Sequence, residues 1–219
     1  MNQTKTINMG YMEVVFDSLY LMADLLLGLY FLVTATNPAH ILFGVMALLL
    51  GGGDAFHLVP RMRAALTQDR QRFVKPLGRG KMITSITMTI FYILLWHTGL
   101  LCYELKLPVL TGVVYALATL RIALCLFPQN GWTEENASLH WNIYRNIPFL
   151  LLGGMVMMLF LKNSSMDPLS LRFMWLAILL SYAFYLPVVL FVHKKPKIGM
   201  LMLPKSCAYV WILMMGIGV

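Results

Sequence analysis

A chain of 219 residues that is 59% hydrophobic and 12% charged, with mean hydropathy +0.73, carries about half the charge of an ordinary soluble domain and belongs in a bilayer. A net charge of +8 would suit nucleic acid only if the basic residues shared one face of a recognisable fold; here they fall between apolar runs, so no nucleic-acid partner is expected. Cys102, Cys125 and Cys207 lie in apolar stretches and form no CxxC pair, zinc spacing or even-numbered disulfide framework.

Apolar runs bounded by charge, Pro or Gly predict seven spans in chain order, near residues 11–34, 39–60, 82–103, 108–127, 147–161, 170–192 and 199–219. The first holds Glu13, Asp17 and Asp24 and lacks the basic start and small-residue cleavage site of a signal peptide, so it reads as a retained helix. The second ends in Gly51, Gly52 and Gly53 followed by Asp54, His57 and Arg61. The fifth is short, and Arg145 and Lys162 are expected to snorkel from its ends. No internal repeat or linker divides the chain. The predicted fold class is all-α: a polytopic membrane protein of seven transmembrane helices forming one domain over residues 1–219.

Orientation follows from Lys and Arg, because short basic loops stay in the cytoplasm. Arg61, Arg63, Arg70, Arg72, Lys75, Arg79 and Lys81 follow the second span, and Lys194, Lys195 and Lys197 follow the sixth. With Lys5 and Arg145, twelve basic residues fall on that side, against Lys106, Lys162 and Arg172 on the other. The N-terminus is therefore expected in the cytoplasm, and the location to be the plasma membrane of a bacterial cell.

Charge inside a span costs at least ~2.5–3.5 kcal/mol, so it faces protein or water. Helical spacing puts Glu13, Asp17 and Asp24 on one stripe, Asp54, His57 and Arg61 on another, Ser85, Thr89 and Tyr92 on a third, and pairs Ser181 with Tyr185 ahead of Pro187. Arg121 and Lys205 are basic residues within the fourth and seventh spans. Asp17, Asp54, His57, Ser85, Arg121, Tyr185 and Lys205 all fall in the cytoplasmic half, which predicts one polar cavity opening inward. Asp17 or Asp54 is expected to pair with Arg121 or Lys205. Ser85 and Thr89 read first as backbone-bonded packing residues, and Asp54 with His57 as a functional pair. The triple glycine implies close approach of a helix or a ligand, with a helix favoured.

Motifs for phosphate loops, nucleophile elbows, HExxH helices and dinucleotide fingerprints fail: Lys75 and Met82 stand where a phosphate loop needs Gly and Ser or Thr. His57, His140 and His193 lie toward the cytoplasmic side and with Asp54 would suffice for a zinc with one open position, but no two of these histidines share a helical spacing. No cofactor is expected, with zinc the alternative.

The run Gly53-Asp54-Ala55-Phe56-His57-Leu58-Val59-Pro60-Arg61, closing an apolar helix ahead of a basic loop, resembles the Gly-Asp helix end of the lysoplasmalogenase family (YhhN type) of small multispanning proteins. That family has eight spans. Ile86 stands where it tends to have His, and Tyr182 follows Ser181 where an Asp is often found. The resemblance implies cleavage of the vinyl-ether bond of lysoplasmalogens to an aldehyde and a glycerophospho-alcohol, with Asp54 as the acid. Such chemistry begins with protonation of carbon and needs a carboxylic acid that keeps its proton near neutral pH, then a base to deliver water. Asp54 is the expected donor and His57 the base. Arg121 or Lys205 would hold the lipid phosphate, and Asp17, Asp24, Ser85, Thr89, Tyr92, Ser181 and Tyr185 would complete the substrate side.

The expected function is a membrane-embedded lipid hydrolase whose partners are membrane lipids and a small lipid-like substrate; a seven-span zinc-dependent lipid amidase is its variant. A transporter or ligand-binding protein using the same charges, or a packing subunit, are the competing expectations.

Overall fold

The computed structural model describes residues 2–67, 69, 71–134, 138–166, 170–192 and 194–219, with side chains from residue 10 onward apart from Pro196. Arg70 and His193, and the side chain of Lys5, lie outside the described residues. Seven α-helices follow one another: α1 (Asn2–Val33), α2 (Pro38–Thr67), α3 (Val74–Cys102), α4 (Pro108–Leu126), α5 (Leu139–Asn163), α6 (Met174–Phe191) and α7 (Met202–Met215). Short 3-10 turns at Gln71–Phe73, Pro128–Asn130, Pro196–Leu201 and Gly216–Gly218 flank them, and no strand occurs among the described residues. All seven helical segments are long and apolar enough to cross a bilayer. The protein is a multi-pass, all-α integral membrane protein.

Consecutive helices pack side by side, most extensively α1 on α2 and α2 on α3, while α1 against α7 closes the ring and α3 also meets α5. The core is aromatic. Tyr92 meets Phe149 edge to face, with centroids 5.1 Å apart, and Phe91 meets Tyr209 the same way at 5.6 Å.

Several boundaries differ from the sequence expectation; α1 begins at Asn2 and α3 at Val74, both about two turns early, so Lys75, Arg79 and Lys81 lie on helix rather than loop. Helix α2 does not stop at residue 60 but continues through Pro60 to Thr67, so Arg61 and Arg63 ride on helix rather than loop. Proline lacks the N–H that would bond the carbonyl one turn back, yet a ring at this depth tolerates the loss where a neighbouring helix lies against it. Helix α5 begins at Leu139 and has 25 residues, so the fifth span is not short. Its early turns carry Asn142, Arg145 and Asn146, polar side chains that a hydropathy reading ends on. Arg145 is consequently 9% exposed and does not snorkel.

Glycines set the spacing of the first three helices. A Cβ on Gly51 would lie 2.9 Å from Asp24 Cβ of α1, and one on Gly53 would overlap Thr87 of α3. One on Gly80 of α3 would overlap the Phe56 carbonyl and the His57 backbone of α2. Gly52, between the two tight positions, faces open space. The triple glycine is thus a packing device on both sides, as small residues permit in membranes. Gly80→Ala is expected to lower thermal stability in detergent by roughly 1–3 kcal/mol, because the obstacle is backbone, whereas Gly52→Ala should be neutral or stabilising by up to ~1 kcal/mol. Melting curves of the two variants beside the unmodified protein provide the check.

Candidate functional site

Four helices bring their polar residues to the end of the bundle that carries the basic loops. There a cavity of about 40 Å³ is walled by Asp17 of α1, Asp54, His57, Leu58 and Arg61 of α2, Thr84 of α3, and Met202, Leu203, Lys205 and Ser206 of α7. A water needs about 10–15 Å³ measured this way, so the cavity accommodates a few waters and no headgroup. Asp54 is held in place from α1: Tyr20 Oη donates to Asp54 Oδ2 at 2.8 Å. Thr84 Oγ1 donates to the Gly53 carbonyl at 3.0 Å. His57 presents Nδ1, buried and without a hydrogen-bond partner. Lys205 attracts Asp54 across the cavity, although the two are not within ion-pair distance, and its ammonium lies 4.9 Å from the Tyr185 ring centroid and 5.1 Å from that of Tyr209.

The sequence grouped Glu13, Asp17 and Asp24 as one stripe, and the structure divides it. Glu13 forms a salt bridge with Arg61 at the rim, joining α1 to α2. Asp17 is 3% exposed, with Oδ2 unpartnered. Asp24, two turns deeper, is 0% exposed against Gly51, and neither of its oxygens has a partner. Asp17 and Asp24 each lie within electrostatic reach of Asp54. The expected pairing of Asp17 or Asp54 with Arg121 or Lys205 does not form within 4 Å among the described residues.

Arg121 is displaced from the expected cavity altogether. It is 2% exposed, lies with its guanidinium carbon 3.2 Å from the Phe149 centroid, and leaves Nε and Nη1 without partners. A face of α4 that turns toward α5, rather than toward α1 and α2, accounts for this. Tyr185 also stands outside the cavity walls, donating to Asn146 Oδ1 at 2.8 Å while its ring underlies Lys205. Ser181 and Tyr92 belong to the aromatic core, 3.3 Å apart, with Tyr92 Oη 3.4 Å from Tyr209 Oη. Ser85 and Thr89 bond back to carbonyls of their own helix, Lys81 O and Ser85 O, each at 2.8 Å. Both hydroxyls are thereby satisfied within α3.

What the sequence reading passed over is a network on α5. Arg145 Nη1 donates to Asn130 Oδ1 and Nη2 to Asn142 Oδ1, both at 2.8 Å, and its guanidinium stacks 4.0 Å from the Trp132 ring. Asn130 in turn donates to Leu124 O and Phe127 O, and Trp132 Nε1 to Cys125 O, so the last carbonyls of α4 are satisfied by this turn. Asn146 Nδ2 donates to Asn142 Oδ1 at 3.1 Å, linking the network to Tyr185 and so to Lys205. The signal was available: Asn142, Arg145 and Asn146 share one helical face. Tyr20 and Thr84 were equally readable, Tyr20 lying one turn from both Asp17 and Asp24.

Among the described residues no group of three His, Cys, Asp or Glu side chains is placed to hold a metal ion; His140 is exposed, away from His57. At the opposite end of the bundle a larger, mainly apolar cavity of about 310 Å³ lies among Asn37, Leu101, Tyr103, Leu171 and Gly218, where the sequence indicated nothing.

This chain matches no protein-family model, and neither curated proteins nor solved structures give a match to it.

Replacing Arg145 by Met should strip Asn130 and Asn142 of a buried donor and lower stability by about 2–5 kcal/mol, with Lys recovering part of the loss. Thermal unfolding of both variants in the same detergent measures it.

Proposed function

We propose that this protein is a membrane-embedded hydrolase acting on a lipid, of the lysoplasmalogenase type, with its site at the cytoplasmic end of the bundle. The observation that carries the reading is the convergence of Asp54, His57 and Lys205, from two helices, on one cavity large enough for water. The basic residues at this end give its orientation: Arg61 and Arg63 at the end of α2, with Arg72 and Lys194 beyond the α-helices, favour the cytoplasmic face of a plasma membrane, in a bacterium the single membrane bordering the cytoplasm.

The chemistry balances with these groups alone. The Asp54 carboxyl donates its proton to the vinyl carbon remote from oxygen, leaving an oxocarbenium ion beside a new carboxylate. Water from the cavity adds to the cationic carbon as His57 Nδ1 takes its proton, giving a hemiacetal. Collapse of the hemiacetal transfers its hydroxyl proton to the departing glyceryl oxygen, and the imidazolium returns the borrowed proton to Asp54 through water. The net change is addition of one water and release of an aldehyde and an alcohol. Tyr20 holds the Asp54 carboxyl and Lys205 stands opposite it, so the developing positive charge arises next to a carboxylate and away from the ammonium.

In vesicles containing a vinyl-ether lysolipid, the purified protein is expected to release fatty aldehyde. Asp54→Asn should lower that rate by about 10²–10⁴-fold at unchanged melting temperature, since Asn still accepts the Tyr20 hydrogen bond. Equal rates in the two proteins, or no aldehyde from the unmodified one, would sink the reading.

Asp24 favours a second reading. A fully buried carboxyl with two unpartnered oxygens has no part in the hydrolysis just described, and proton-coupled binding or transport of a ligand would use it. Proton uptake into vesicles that persists in Asp54→Asn but is lost in Asp24→Asn would support transport over hydrolysis.

A further inference from the structure

Helices α1 and α2 run antiparallel, and their facing residues form a ladder that descends from the rim into the bundle. At the rim Glu13 meets Arg61. One turn in, Asp17 walls the water cavity together with Asp54 and His57. Tyr20 Oη then donates to Asp54 at 2.8 Å, and on the next rung Asp24 lies against Gly51, where an added Cβ would stand 2.9 Å from that of Asp24. Beyond this rung the ladder turns apolar: a Cβ on Gly28 would overlap Leu48, and Phe31 stacks on Phe43 with centroids 5.6 Å apart. Asp24 is therefore the last polar rung, well inside the Gly10–Val33 span. It is fully buried, and neither of its oxygens has a hydrogen-bond partner. Arg61 is taken by Glu13, and Lys205 stands at the cavity one rung nearer the rim, so neither cation closes on Asp24 within 4 Å. With no donor, counter-charge or water at hand, the outlet left to this carboxyl is to hold a proton.

We infer that Asp24 is an exchangeable proton-binding site, loaded from the water cavity through Asp54 and Tyr20. The inference deepens the transport reading by naming its ion and the entry route, and rests on that reading for the exchange of the proton rather than its mere presence. The route follows from the register of the ladder. Tyr20 and Asp24 are one turn apart on α1, and the residues they meet, Asp54 and Gly51, are one turn apart on α2, so a single phenol stands between the two carboxyls. A phenolic hydroxyl both donates and accepts, which a relay requires. Cavity water gives a proton to the Asp54 carboxylate; Asp54 passes it to Tyr20 Oη as the phenol releases its own proton to the Asp24 carboxylate. The phenol ends neutral, Asp54 ends ionised as it began, and the one proton taken from water now neutralises Asp24. Unloading is the same sequence in reverse. Gly51, lacking a side chain, leaves the Asp24 carboxyl room to turn toward the phenol. Because the next rungs are Gly28 on Leu48 and Phe31 on Phe43, the proton enters and leaves by the same end in this conformation.

The test is the infrared spectrum of the purified full chain at neutral pH, in a detergent without ester groups, where an un-ionised carboxyl gives a carbonyl band separate from those of carboxylates and amides. The unmodified protein should show such a band and shift it within minutes of transfer to heavy water. Asp24→Asn should lose this component, and Asp54→Asn should retain it. Tyr20→Phe should also retain it but shift it more slowly, by about tenfold or more, because exchange must then wait for local opening of α1 from α2. If Asp24→Asn does not fold, the appearance of a slow component in Tyr20→Phe decides. A spectrum unchanged by Asp24→Asn means that Asp24 is ionised and overturns the inference. So does a component that stays unshifted in heavy water, which marks a fixed structural proton, or one that shifts equally fast without the Tyr20 hydroxyl. Proton uptake into vesicles judges the transport reading separately. A protein whose Asp24 proton exchanges while its vesicles take up none loses that reading and keeps the site; uptake without an Asp24 band does the reverse.

Discussion

An ionised side chain inside a bilayer has three outlets, a counter-charge, water or the loss of its charge, and each of them demands a particular arrangement of neighbouring helices. Here Asp17, Asp24 and Asp54 occupy α1 and α2, and Arg121, Arg145 and Lys205 occupy α4, α5 and α7; Asp54 and Lys205 are half-buried and the rest buried. The two sets face each other across the bundle without closing into ion pairs. The Asp54 cavity, the phenol of Tyr20 and the asparagine brace of Arg145 all follow from that separation, each relieving part of a charge that no direct partner neutralises.

Close backbone approach makes the separation durable. Gly51, Gly53 and Gly80 let α1, α2 and α3 nest at distances a Cβ would forbid, and the same approach brings Tyr20 and Thr84 within hydrogen-bond reach of the Asp54 turn. The acid is therefore held from both sides by rigid helices, while the cation opposite it rests on aromatic faces that allow sideways movement. A site so divided has an acid wall tied by hydrogen bonds and a basic one set against aromatic rings.

The number of helices, their order and the clustering of Asp17, Asp54, His57 and Lys205 at one end were readable from hydropathy, loop charge and the 100° step of a helix. The reason is local: burial in lipid leaves an apolar run, and a functional charge interrupts it visibly. What escaped depends on which helices touch. Arg121 lies against Phe149 of α5 rather than facing α1, and sequence places a residue along its helix without giving its neighbours. The start of α5 was missed because Asn142, Arg145 and Asn146 look like loop to a hydropathy window, whereas in the fold they satisfy one another. Gly51 and Gly53 were correctly suspected of close packing, but their partners, Asp24 and Thr87, come from helices that only three dimensions bring near.

Helix lengths around the ring are unequal, and the surrounding lipid must respond. At 1.5 Å per residue the 30 residues of α2 extend about 45 Å, whereas the 18 residues of α6 extend about 27 Å. One flank of the protein therefore outreaches a 30 Å hydrocarbon layer and the other barely fills it. The polar last turns of α2, with Arg61 and Arg63, therefore stand beyond the hydrocarbon layer, while lipid beside α6 meets a helix barely long enough to span it, a mismatch that costs fractions of a kcal/mol per Å.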